Sequence, residues 1–390
     1  MKKTLTALSA TVVAAFAITA QVHAADELVI GYSMAKTGPY VSLAITNEVA
    51  ASMAVDEING KGGINGKKLK MVKFDTAGNP KDAVTATRRF AQDEKALAII
   101  GPFSSSECSA AFPAGEREGI VQMSMASSAP GLTAGMPYAF RNTVDEGKVI
   151  EDVMETFKRK SIPITRGVIA YGTDDAVSKA IGTKVLPKVF EKFAVSVFAT
   201  VDFSVKAFDL SPQVSQIVQA KPDGIGIGGN PEAGIKLAVE LHRQGYKGRM
   251  FGGTTLADPD LPKRMLPAGT GMTIGTTFFK DFNAATKLFS AEFEKRAKAA
   301  GLGRTEPNQF DAATYDIVYM YADAIAKTKA TGDDLSKDRT AIRDHLSNLK
   351  NMPALEGNIS FNKDRDAIKP IYIIEAKGGG WSLLDTHDPK

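Results

Sequence analysis

Short apolar runs alternate with amphipathic stretches along this chain, and most runs end in Gly, Pro or a hydroxyl residue. Residues 27–33 predict a first strand, 46–58 place Val49, Met53, Ala54 and Ile58 at helical spacing, and 69–74 predict a second strand. Asn79-Pro80 opens the next helix, because Asn caps, Pro fits the first helical position and Asp82 suits the dipole. Leu97-Ala98-Ile99-Ile100 then stops at Gly101-Pro102, and Ser104, Ser105 and Ser106 precede a helix-compatible stretch to 118. The alternation restarts with strands at 119–125, 167–171, 195–201, 224–227 and 250–253, separated by helices at 174–190, 211–219 and 231–244. Helices follow at 284–300 and 311–329, and the end reverts to strands at 357–361, 370–375 and 381–384. Repeated strand–helix–strand order is the doubly wound α/β signature, and 390 residues exceed one typical domain. The pattern predicts two α/β sheets joined by short crossings.

The first residues stand apart from that pattern. Met1-Lys2-Lys3, a modestly apolar stretch at 5–20 and Val22-His23-Ala24 predict a cleavable export leader over 1–24. Cys108 is the only cysteine, which excludes an intrachain disulfide and leaves no cysteine at the cleavage point for a lipid anchor. An exported chain without an anchor is expected in the periplasm of a double-membraned bacterium. A net charge of +4 offers nothing to nucleic acid or a membrane surface.

Chemistry-bearing motifs are sparse. Residues 224–229 (GIGIGG) match the dinucleotide fingerprint in letters, but the glycines lie inside the apolar run rather than after it. They read as a buried strand on which helices sit closely. His242, His345 and His387 are far apart and in no metal-ligand spacing, and no nucleophile elbow or phosphate loop occurs. No catalytic residue, metal or cofactor is expected, and Cys108 reads as a packed residue. The serine cluster is different. Hydroxyls at a strand's carboxyl end, at the entrance of a helix whose first N–H groups lack partners, suit a small anion.

Several phrases together carry a resemblance: residues 54–69 (AVDEINGKGGINGKKL), Asp75 with 79–84 (NPKDAV), Ile99-Ile100-Gly101-Pro102 with its serines, 126–130 (ASSAP), and Phe140-Arg141. The chain resembles the periplasmic solute-binding proteins of ABC importers, of the leucine/isoleucine/valine-binding type. The resemblance implies two doubly wound parallel-sheet lobes joined by a three-crossing hinge, one formed by 26–143 plus 277–355 and the other by 144–276 plus 356–390. It implies a monomer that delivers a small carboxylate to an inner-membrane ABC permease. By resemblance, Ser105 and Ala126, Ser127 and Ser128 hold the carboxylate, with Ser106 beside them, while Tyr40, Tyr171, Asn230 and Thr254 form rim and walls. Relatives carry a Glu shortly after the strand at 250–252, where this chain has Thr254, and a Tyr where it has Asp175. An ammonium needs an acidic partner once water is excluded, and Asp175 or Asp145 remains a candidate. The expected ligand is therefore an organic or aromatic monocarboxylate, with a branched-chain amino acid as the alternative. A sensor of the same fold and, third, an enzyme are the competing functions.

Overall fold

Two sheets carry the chain, in a computed structural model that describes residues 27–389. The leader expected at 1–24 lies outside the described residues. The first sheet contains β1 (Glu27–Met34), β2 (Lys68–Asp75), β3 (Ala98–Ile100), β4 (Val121–Ser124) and β5 (Ala139–Arg141). Its order is β2-β1-β3-β4-β5, and every pairing is parallel. One face packs on helices Asn47–Gly60, Gln309–Thr328 and Leu335–Ser347 through Leu28, Ile30, Ala54, Ile317 and Leu346. The other face lies under helices Pro80–Gln92 and Ser105–Glu118, with Phe90, Ile99 and Phe112 buried between. Strands covered on both sides read as continuous apolar runs, which is why residues 97–100 carry no polar position.

The second sheet contains β6 (Arg166–Gly172), β7 (Ser196–Phe203), β8 (Gly224–Gly228), β9 (Arg249–Gly252) and β10 (Thr273–Thr276). The three strands β11 (Met352–Ala354), β12 (Gly357–Phe361) and β13 (Ala367–Ile368) form a small sheet of their own. Then β14 (Ile371–Lys377) and β15 (Gly380–His387) return to the second sheet, whose order is β15-β14-β10-β9-β8-β6-β7. It is parallel from β10 to β7 and antiparallel at β14 and β15. Gly378-Gly379, both at positive φ, make the β14–β15 hairpin, where a parallel partner would need a crossover.

All of β8 is buried, and its glycines do what their placement inside an apolar run suggested. A Cβ on Gly226 would lie 2.5 Å from Leu186, and one on Gly228 2.7 Å from the Ser178 carbonyl oxygen. Bare backbone lets the helical run of Ala176–Ala180, the π turn Ile181–Val185 and Leu186–Lys192 sit directly on the strand. In that run a Cβ on Gly182 would fall 2.0 Å from the Tyr171 ring. Gly182→Ala should cost about 1–3 kcal/mol of stability, read by urea denaturation; no change would mean the ring can step aside.

One boundary differs from expectation. Residues 356–368 were expected with the second lobe, but Ile359, Phe361 and Ala367 belong to the first core, and Phe361 meets Phe140 edge to face at 5.3 Å. The alternating apolar positions of β12 face that core, so the third crossing falls at 369–370. The three crossings meet at one buried cluster. Lys369 Nζ donates to Glu356 Oε2 at 2.5 Å and to the Asn142 carbonyl at 2.8 Å, and Thr277 Oγ1 donates to Glu356 Oε1 at 2.6 Å. Asp316 accepts from the amides of Leu355 and Glu356 at 2.8 and 3.0 Å.

Candidate functional site

The carboxyl ends of the central strands of both sheets open onto one cleft, the usual place for a ligand in doubly wound folds. On the first-lobe side, the turn after β3 needs glycine: Gly101 has φ +97, and a Cβ there would lie 2.5 Å from the Ser33 carbonyl oxygen. Ser104 then caps helix Ser105–Glu118, in a capping box with Glu107. Thr76 Oγ1 also donates to Glu107, whose carboxyl is raised above its ordinary range by burial. This scaffold fixes the helix entrance, where the first N–H groups and the dipole's positive end favour an anion. Ser105 Oγ accepts from Ala129 N at 3.3 Å, which leaves its own proton for a partner in the cleft.

The cleft is lined by Tyr40, Leu43, Phe103, Ser104, Ser105, Ala126 and Phe310 from the first lobe. Asp175, Val177, Ser178, Gly229, Asn230, Thr254 and Thr255 line it from the second. Of the candidates, Tyr40, Ser105, Ala126, Asp175, Asn230 and Thr254 thus line one cleft. Phe103 stands 5.7 Å from the Tyr40 ring and 5.4 Å from Phe310, giving the first lobe an aromatic wall.

Other candidates sit elsewhere. Ser106 is half-buried one residue further into the helix. Ser127 is buried, with its amide on Ser124 Oγ at 3.0 Å and its carbonyl accepting from Thr143 Oγ1 and Arg141. Ser128 donates to Glu146 rather than into the cleft. Tyr171 is not on the cleft wall: it packs on Gly182 behind the sheet, because alternation along β6 turns it to the helix-covered face. Cys108 is fully buried, and that burial pushes its thiol up to about 12, in keeping with a packed residue.

Asp175 has three hydrogen-bond donors. Its Oδ2 accepts from Ser178 N and Oγ at 2.9 and 2.6 Å, capping helix Ala176–Ala180, and its Oδ1 accepts from Tyr40 Oη across the cleft at 2.9 Å. Asp145, the other suggested acid, caps helix Glu146–Arg159 through Gly147 N at 2.8 Å and stands 3.5 Å from Arg141. Thr255 Oγ1 is buried on the cleft wall with no hydrogen-bond partner among the described residues.

Sequence reasoning missed Glu146. It is fully buried, and its carboxyl accepts from Ser128 Oγ at 3.0 Å, from Thr254 N at 3.2 Å and from Thr254 Oγ1. Burial drives it up to about 7, against the pull of those hydrogen bonds. The sequence showed only an acidic helix start near Asp145. Arg141, fully buried, donates to both oxygens of Asp366 and to the carbonyls of Ala129 and Ser127 at 2.6 and 3.3 Å, and so fixes the 126–129 loop. A wider crevice at Pro259, Lys263, Phe279 and Trp381 lies beyond Gln309, on the flank; its Lys280 is paired with Glu306 at 2.7 Å.

Two α/β lobes, three crossings and a cleft between strand ends define a two-lobed solute-binding architecture. A family model described as periplasmic binding protein matches residues 27–380, and the chain belongs to that family, with the solute-binding proteins of ABC importers of the leucine/isoleucine/valine type. A Leu/Ile/Val-binding protein of Rhizobium johnstonii, BraC3, is 27% identical over 379 residues, covering 95% of this chain and 96% of that protein. An amino acid binding protein of Pseudomonas aeruginosa is 34% identical over 155 residues, 38% of this chain and 41% of the relative. Among solved structures, the leucine binding protein LivK of Thermotoga maritima superposes with a TM-score of 0.82 at 22% identity, covering 93% of this chain and 99% of that one. A solute binding protein of R. palustris in complex with benzoate superposes with a TM-score of 0.80 at 19% identity, covering 93% and 97%.

Proposed function

We propose that this chain captures a small monocarboxylate with an apolar, aromatic or short hydrocarbon body and delivers it to the inner-membrane permease of an ABC importer. It acts in the periplasm as a monomer after removal of its leader, and it binds without catalysing a reaction. The observation that carries the reading is the composition of the cleft. A helix entrance with Ser105 offers donors to an anion, Tyr40, Phe103 and Phe310 offer an aromatic wall, and the one carboxylate on the wall, Asp175, already has three donors. An ammonium entering here would lose its water and find only Asp175, a carboxylate it would have to share with those three donors. Thr255, buried and unpartnered, adds a polar contact for the ligand.

A second reading, a branched-chain amino acid, draws on the names of the relatives and on Glu146, which lies directly behind Thr254. A thermal-shift panel of benzoate, aliphatic acids and leucine separates the two, since a ligand that binds only the folded chain raises its Tm. The first reading expects benzoate-like or short aliphatic acids to raise Tm and leucine to leave it unchanged; the reverse result overturns it. Ser105→Ala should weaken binding of the best acid by roughly 1.5–3 kcal/mol. An unchanged Kd would remove Ser105 from the site.

A further inference from the structure

Ser128 and Thr254 each have one hydroxyl proton, and both protons are committed to the same carboxyl group. Ser128 Oγ donates to Glu146 Oε1 at 3.0 Å, Thr254 Oγ1 donates to the same oxygen, and the two hydroxyl oxygens are 3.5 Å apart. Thr254 N holds the other carboxyl oxygen at 3.2 Å, and a Cβ on Gly253 would lie 1.8 Å from it, so the group is seated against bare backbone. A hydroxyl donates once. While Glu146 is ionised, the Thr254 hydroxyl on the cleft wall has no proton for a ligand.

A protonated Glu146 reverses the direction. Its own O–H donates to the Thr254 hydroxyl oxygen, and that hydroxyl's proton turns toward the cleft. We infer that Glu146 is a proton-coupled positioning residue: capture of a carboxylate takes up one proton from solvent at Glu146, which swings the hydroxyl donor of Thr254 onto the ligand's anionic oxygen. The proton returns to solvent on release, and no covalent bond changes. This inference rests on the monocarboxylate reading above.

Burial already holds Glu146 near neutrality, and a second negative charge beside it pushes in the same direction. The charged group facing it is Asp145, on its own helix start, backed by Arg141 and Asp366. From the elements packed on that helix, Lys192 pairs with Glu151, while His387 meets Asp152 and Asp385 meets Arg159, all on later turns. Asp316, Glu356 and Lys369 belong to the crossing cluster.

The test is calorimetric titration of the full chain with benzoate, or with the panel acid that binds more tightly, from about pH 6 to about pH 8.5 in two buffers of different ionisation heat. Uptake should approach one proton per ligand at the alkaline end, with Kd rising up to about tenfold per pH unit above neutrality. Glu146→Gln, whose carbonyl can accept from Thr254 N while its NH2 takes the place of the shared oxygen and donates to the hydroxyls, should take up none and keep the low-pH affinity throughout. A flat wild-type profile without proton uptake overturns the inference while leaving the monocarboxylate reading intact. So does a pH dependence that survives in Glu146→Gln, which would place the proton elsewhere. If no acid binds and leucine does, with affinity rising with pH, the monocarboxylate reading and the inference fall together, and Glu146 is an ammonium partner.

Discussion

Lys369→Met should lower stability by about 3–5 kcal/mol, seen as an earlier midpoint in urea denaturation. Lys369 and Glu356 have fully buried side chains, and the lysine is the cation among Asn142, Thr277, Glu356 and Asp316, residues drawn from all three crossings and the helix behind them. Removing it leaves Glu356 with only neutral donors against the burial that already raises its carboxyl, and beside Asp316, whose own carboxyl is raised by burial and by Glu356. The variant's Glu356 would keep its charge only at a large desolvation cost, so it takes a proton instead. A carboxyl whose folded value is raised is tolerated below its unfolded value and destabilises as pH climbs through the folded value. The deficit should therefore be smaller near pH 5 than near pH 8. Glu356→Gln added to Lys369→Met should recover much of it; a double variant as unstable as the single would mean that the lysine's packing, not its charge, holds the crossings.

The strand ends were legible in the sequence because doubly wound folds announce them: an apolar run, then Gly-Pro or small residues, then a capped helix. Ser105, Ala126, Asn230 and Thr254 each follow such a run, and each lines the cleft. What stayed hidden depends on how one lobe lies against the other. Glu146 reads in sequence as a first-turn acid complementing a helix dipole, yet its carboxyl is bonded by Ser128 and Thr254, residues 18 and 108 positions away. Phe103 and Phe310 are buried, and the face they form on the cleft comes from residues far apart in the chain. Tyr171 was lost to phase: one step along β6 decides between cleft and helix-covered face, and the end of an apolar run does not reveal that step. Residues 357–361 were recognisable as a strand, but nothing in one strand's pattern says which of two cores it joins.

Arg141→Met should be as damaging as the loss of Lys369, and it should reach the ligand as well. The guanidinium grips Asp366 with two bonds, reaches Asp145 at 3.5 Å and donates to the Ala129 and Ser127 carbonyls. Met leaves Asp366 buried with Thr133 Oγ1 as its side-chain donor, at 2.7 Å, at an expected cost of about 3–5 kcal/mol. Two carbonyls of the loop carrying Ala126 and Ser128 lose a charged donor together, and only Ser127 keeps another, from Thr143 Oγ1 at 2.5 Å. Arg141→Lys separates the two effects. It retains a charge for Asp366, so it should be more stable than Arg141→Met, but an ammonium cannot hold one carboxylate in a fork and two carbonyls at once. Carboxylate binding by the Lys variant, measured well below its Tm, should weaken by about tenfold, roughly 1.4 kcal/mol. Wild-type affinity in Arg141→Lys would show that the loop keeps its place without the fork, and that Arg141 acts on stability alone.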